Sequence, residues 1–170
     1  MRILAIDTAT DEAAVALHVD GRTAERPVAW RAAFRETAPV VLELLRRSGI
    51  GWRDLNGIAV PAGPGSFTGL RVGAALALGI AELRGLPLFA PSTLAVVAEA
   101  AAPDGARRVL ATLDARRGRR YAAVLERTGP AWSVADGPVD VEADAAEVWA
   151  PGLPHVRLEA ARPPGSPAAA

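Results

Sequence analysis

Gly63-Pro64-Gly65-Ser66-Phe67-Thr68-Gly69-Leu70-Arg71 packs three glycines, a proline and two hydroxyls between an apolar strand end and a long apolar stretch. Ile58, Ala59 and Val60 read as the end of a buried strand, and Leu70 to Leu83 as a helix. A loop so placed brings its backbone N–H groups and the hydroxyls of Ser66 or Thr68 to a helix N-terminus, a position that suits an anion or a partner's polar groups. Gly63, Gly65, Ser66 and Thr68 are therefore the first candidate site residues.

Two common chemistries for a glycine loop do not fit. A phosphate loop of the G-x-x-x-x-G-K-[ST] type needs a lysine, and all 19 residues of the Lys and Arg class are arginine. A dinucleotide fingerprint follows the first strand, but here Arg2 to Ile6 runs into Asp7-Thr8-Ala9-Thr10 without a glycine. The absence of lysine also excludes Schiff-base chemistry, and the absence of cysteine excludes disulfides and thiolate catalysis.

Outward from the loop, the order of elements is legible. Residues 2 to 7 form a strand, Ala13 to Val19 a second, Asp20-Gly21 a hairpin turn, and about Arg26 to Trp30 a third strand. Thr37, Ala38 and Pro39 open a helix with an apolar stripe of Val40, Val41, Leu44 and Leu45, stopped by Gly49. Asn56 to Val60 returns as a parallel strand. The helix after the glycine loop ends at Gly85, Leu86 to Ala90 forms another strand, and Ser92 or Thr93 caps a helix through Ala101. Pro103-Asp104-Gly105 marks a lobe boundary. Beyond it, Arg107 to Leu113 and Tyr121 to Glu126 form strands joined by a turn over residues 114–120, with a weaker strand near Ser133 and a helical turn at Ala143 to Trp149. The expected division is a first lobe over 1–102, a smaller one over 103–160 and a disordered tail over 161–170.

The 170 residues carry no net charge and are 51% apolar, so no global basic field exists to hold nucleic acid or an anionic membrane. The start Met1-Arg2-Ile3-Leu4 turns polar at Asp7, too early for a signal peptide or a membrane span, and a cytoplasmic location is expected.

Three strands, helix, strand, helix, strand, helix is the order of the first lobe of the actin-like, sugar-kinase and Hsp70 superfamily. The expected fold is therefore α/β, of this ASKHA or ribonuclease H-like kind, with a complete N-terminal lobe and a reduced second lobe. The run G-P-G-S-F-T-G-L-R-x-G, the opening I-L-A-I-D-T-A-T and the hairpin L-D-A-R-R-G together resemble the TsaB (YeaZ-like) family, over about residues 1 to 126. That resemblance implies a non-catalytic accessory subunit of bacterial tRNA threonylcarbamoyladenosine synthesis. It further implies a TsaD-type catalytic partner, a TsaE-type ATPase reached through the complex, a homodimer when alone, tRNA met mainly via the complex, and no cofactor of its own. It places the partner surface on the helix after the glycine loop and its neighbour, where Gly69, Gly73 and Ala77 recur at four-residue spacing. Such a flat stripe permits close helix approach, or packing on the chain's own sheet. The expected partner-binding set is Gly69, Arg71, Gly73, Leu76, Ala77 and Ile80.

Nucleotide sites of the superfamily use two acid-bearing turns, each relieved by a glycine. Here the turns are Asp7, Thr8 and Thr10, with Ala9 in the glycine's place, and Asp114 before Ala115-Arg116. Both are expected to be degenerate. A small ATP-dependent phosphotransferase built on Asp7 and Asp114 is the alternative, as is a self-associating module. Arg116, Arg117, Arg119 and Arg120 form a basic run that would contact RNA phosphates or simply lie solvated on a hairpin. His18 and His155 have no metal-binding spacing, and Ser66 has no base partner, so neither a metal nor a hydrolase triad is expected.

Overall fold

The computed structural model describes residues 1–158, so the tail expected over 161–170 lies outside the described residues. Five strands make the first sheet: β1 (Arg2–Asp7), β2 (Ala14–Val19), β3 (Arg22–Pro27), β4 (Gly57–Ala59) and β5 (Leu88–Phe89), in the order β3-β2-β1-β4-β5. β1, β2 and β3 are an antiparallel meander, while β4 and β5 continue the sheet parallel to β1. β3 starts earlier than expected. The turn at Asp20-Gly21, with φ of 48° and 91°, returns the chain at once and pairs Val19 with Arg22. All six residues of β3 are exposed at the sheet edge, so no apolar alternation announces it.

Helix α1 (Ala33–Arg47) begins before Thr37 and carries Pro39 in its interior, not in its first turn. Proline removes one helical N–H donor, and the carbonyl so deprived belongs to Arg35, on the exposed side. Thr37 sits on the opposite side, buried, and donates its hydroxyl to the Ala33 carbonyl at 2.7 Å. Helix α2 spans Phe67–Arg84, a turn longer at its start than the periodicity suggests, because Ser66 caps it. Its end matches expectation: Gly85 adopts φ 64°, and the N–H of Leu86 bonds the Ala81 carbonyl at 2.9 Å. α1 and α2 cover one face of the first sheet, burying Leu4, Ile6, Val15 and Leu17 with Val41, Leu44, Leu45 and Ala77.

The second sheet has the order β8-β7-β6-β9, from β6 (Arg108–Arg116), β7 (Arg119–Thr128), β8 (Ala131–Glu142) and β9 (His155–Leu158), with α4 (Ala145–Trp149) between the last two strands. β6 and β7 run further than predicted and meet in a tight turn at Arg117-Gly118. β8 extends well beyond the weak strand foreseen near Ser133; its long exposed run and the register shifts near Asp136 hide it from a period-two reading. β9 has no counterpart in the strands expected from the sequence. It follows a Pro/Gly-rich stretch and pairs parallel to β6, Leu110 opposite His155. α3 (Thr93–Ala101), which the sequence groups with the first lobe, buries Leu94, Val97 and Ala98 with Val109, Ala111 and Leu125 of the second sheet.

Candidate functional site

The glycine loop is a seam. A β-carbon at Gly65 would strike the carbonyl oxygen of Ala9, and one at Gly69 the carbonyl oxygen of Thr8, so only glycine lets α2 seat on the turn after β1. Hydrogen bonds close the contact: the Ser66 N–H donates to the Ala9 carbonyl at 2.7 Å, and the buried Thr8 hydroxyl donates to the Gly69 carbonyl at 2.7 Å. Ser66 Oγ accepts from the Gly69 N–H at 3.2 Å as the helix cap. The groups expected to greet an anion or a partner are thus turned inward at Ser66. Gly63 keeps the loop's sharp bend, at φ 107°, and Thr68 remains exposed in the first helical turn.

The small-residue stripe of α2 also faces inward, not toward a partner. Gly69, Gly73 and Ala77 are buried, and a β-carbon at Gly73 would lie 2.5 Å from Thr8 Oγ1 and 3.4 Å from Val60. Their smallness serves close packing of α2 on β1 and β4, which removes all three from the expected partner surface. Leu76 and Ile80 are half-buried and pack on the first interior, whereas Arg71 is exposed as expected.

Among the charged residues that α1 and α2 offer to solvent stand several large apolar ones. Phe34 is 84% exposed and Phe67 69%, and Leu42, Leu78 and Leu83 are also out in solvent. Phe34, Ala38 and Leu42 follow one another at helical spacing on α1, and Phe67, Arg71, Ala75 and Leu78 do so on α2. Between them lies a shallow groove of about 610 Å³, lined by Phe34, Ala38, Phe67, Arg71, Ala75 and Leu76 among others. The Arg71 guanidinium stacks 3.9 Å from the Phe67 ring centroid. Nothing in the sequence marks Phe67 as solvent-facing, because α2 is apolar around much of its circumference, and Phe34 lies among the polar residues Arg35 and Glu36 of α1 without belonging to its inward stripe of Val41, Leu44 and Leu45.

The two acid-bearing turns confront each other across a second, smaller cleft of about 290 Å³. Each acid serves its own turn: Asp7 Oδ1 accepts the Ala9 N–H at 2.9 Å, and Asp114 Oδ1 the Arg116 N–H at 2.8 Å. Burial pushes the Asp7 carboxyl above its ordinary value of 3.8, with the Ala9 N–H pulling weakly the other way. Thr10 lines the cleft beside Ala9, whose methyl packs toward the Gly65 backbone. Arg116 crosses the opening, its Nη2 at 2.6 and 2.8 Å from the two Asp11 oxygens and Nη1 at 3.9 Å from Asp114. A metal–nucleotide entering here would have to displace that guanidinium.

The four arginines of the hairpin do not form one basic patch. Period-two alternation sends Arg119 and Arg120 to opposite faces. Arg119 pairs with Asp140 and Glu142, which hold its guanidinium even more firmly charged than usual. Arg120 is buried, 8% exposed, donating from Nε to Thr112 Oγ1 at 3.0 Å, so it is withdrawn from the RNA-contact set. Arg117 lies exposed at the turn. His18 bonds Thr23 at 3.0 Å and His155 bonds Thr112 at 2.9 Å. Among the described residues no cluster of three His, Cys, Asp or Glu could hold a metal, and no helix is long and apolar enough to cross a membrane.

A family model described as TsaD, tRNA N6-adenosine threonylcarbamoyltransferase, matches residues 27–161. A TsaB protein of Escherichia coli, described as a tRNA threonylcarbamoyladenosine biosynthesis protein, is 44% identical over 129 residues, covering 75% of this chain and 56% of that one. The chain belongs to the TsaD family, in its TsaB (YeaZ) branch. A TsaB protein of Haemophilus influenzae is 38% identical over 71% of this chain and 52% of its own length. The solved structure of YeaZ from Pseudomonas aeruginosa superimposes with a TM-score of 0.76 at 31% identity, over 83% of this chain and 67% of that one. The chain spans about half the length of the curated relatives it matches. The mixed sheet in the order β3-β2-β1-β4-β5, with α1 and α2 on one face, is the actin-like arrangement expected for this branch.

Proposed function

We propose that this chain is a non-catalytic subunit that binds a TsaD-type threonylcarbamoyltransferase through the exposed face of α1 and α2. It thereby supports threonylcarbamoyl modification of the adenosine next to the anticodon in ANN-decoding tRNAs. The observation that carries the reading is the paired apolar stripe, Phe34 on one helix and Phe67 on the other, with the groove between them. Contiguous exposed apolar surface on two packed helices is the usual mark of a protein interface, and aromatic side chains beside an arginine are its usual anchors. The names borne by the relatives supply the pathway. The engaged acids and the Arg116–Asp11 pair in the cleft weigh against the phosphotransferase alternative.

The subunit would act by stabilising one conformation of its partner, and the stabilisation is limited by its differential affinity for the partner's states. A TsaE-type ATPase and the tRNA would join through the complex. Alone, the same face would pair with a second copy.

The test is light-scattering mass after size exclusion, for the chain alone and mixed with a TsaD-type protein. A stoichiometric complex, formed at the expense of any homodimer and lost on Phe34→Glu, is expected. A complex that Phe34→Glu leaves intact would move the interface elsewhere, and no complex at micromolar concentration would overturn the reading.

A further inference from the structure

The two sheets keep separate interiors, one built on Leu4, Ile6 and Ile58, the other on Leu94, Val109 and Leu125. They meet at the cleft, and Arg116 spans it. A register shift between Asp114 and Arg116, together with left-handed backbone at Arg116 (φ 72°), re-aims that side chain out of its hairpin. Its target, Asp11, is only 13% exposed although Arg116 itself is 53% exposed, and both Asp11 oxygens accept from the same Nη2 across 105 residues of chain, which ties the two sheets together at this point of the cleft.

Asp11 also belongs to the turn that grips α2. The Ala9 carbonyl holds the Ser66 N–H, and Thr8 holds the Gly69 carbonyl, with glycines at 65 and 69 leaving no side chain in between. A contact of backbone on backbone has little slack, so a shift of the turn is passed to the first turn of α2. Phe67 and Arg71 stand on that turn and the next.

We propose that the Arg116–Asp11 ion pair is a strap through which the position of the second sheet sets the pose of Phe67 and Arg71 on the partner face. As regards the partner, the inference rests on the reading given above. With the strap made, the turn after β1 is held and the face is preorganised; with it broken, both loosen and binding weakens. Linkage makes the effect reciprocal: a partner seated on Phe67 and Arg71 favours the closed strap.

Hydrogen exchange on the full chain tests the strap without any partner. Asp11→Arg and Arg116→Asp, each alone, should speed exchange at amides of residues 8–12 and 66–71 by about fivefold or more, and the two together should restore it. Affinity for a TsaD-type protein should fall by about the same factor in each single variant and return in the double one. Faster exchange confined to residues 114–119, or a double variant no better than the singles, would overturn the strap. Restored exchange in a chain whose wild type binds no transferase would keep the strap and sink the partner reading. Binding with neither exchange nor affinity altered would do the opposite.

Discussion

The guanidinium of Arg71 lies 3.9 Å from the centroid of the Phe67 ring, one helical turn away, and both side chains are exposed on α2. The stack covers one face of an aromatic ring that water would otherwise surround, beside the groove that Phe34 also lines. Such an arrangement limits the rotamer entropy lost when a partner arrives.

Phe67→Ala should therefore weaken binding of a TsaD-type protein by about 1.5 to 3 kcal/mol, roughly ten- to a hundredfold in Kd. Because the ring is exposed, folding stability should change by no more than about 0.5 kcal/mol. Titration calorimetry alongside urea denaturation separates the two. A stability loss as large as the affinity loss would place Phe67 in the fold instead of the interface.

Gly69→Ala should act on folding stability itself. The new methyl meets the Thr8 carbonyl, which is backbone and cannot swing aside, so α2 must lift from β1 at a cost of about 3 kcal/mol. Gly79→Ala, on the same helix with open space around it, should be neutral or stabilising by about 0.5 to 1 kcal/mol. Urea midpoints of the two variants compare the inward and outward faces of one helix directly.

Much of this fold is legible because its punctuation is chemical: Asp20-Gly21 turns a hairpin, Ser66 starts α2 and Gly85 stops it. The stripe of Gly69, Gly73 and Ala77 is equally visible, but its direction is not. Leu70, Val72, Leu76, Leu78, Ile80 and Leu83 surround the helix with apolar residues, so periodicity cannot tell the sheet side from the solvent side. The turn of Thr8 and Ala9, distant in sequence, makes smallness necessary at Gly69 and Gly73. The bounds of β3 and the middle of β8 are hidden because exposed edge strands need no apolar face, and β9 is hidden because four residues beside prolines give too little pattern. The burial of Arg120 was within reach, since strand alternation separates it from Arg119, but a run of arginines reads first as a solvated patch.

Ser66 provides a further check on the loop. If its hydroxyl is a cap for the Gly69 N–H, Ser66→Ala should cost about 1 kcal/mol of stability, and Ser66→Asp should recover most of it by offering a carboxylate to the same N–H. Partner affinity should be nearly unchanged in both once the variants are folded. Loss of binding in Ser66→Asp with stability intact would instead assign the hydroxyl to the partner surface.

Asp7 carries a prediction in pH. Burial raises its carboxyl above the ordinary 3.8, so the folded state holds the proton more tightly than the unfolded chain does. The stability this contributes is fully present below pH 3.8 and is lost as pH rises through the raised folded value, because the native state must then carry a desolvated charge. Asp7→Asn keeps an oxygen to accept the Ala9 N–H and has no charge to desolvate. The variant should thus gain stability relative to wild type as pH climbs from about 4, and hold a constant advantage above the raised value. Urea midpoints of both proteins across that range isolate the group, since other titrations cancel in the difference. A wild type that gains on the variant with rising pH would mean that the Asp7 carboxylate is stabilised in the fold, as a resident cation partner would make it.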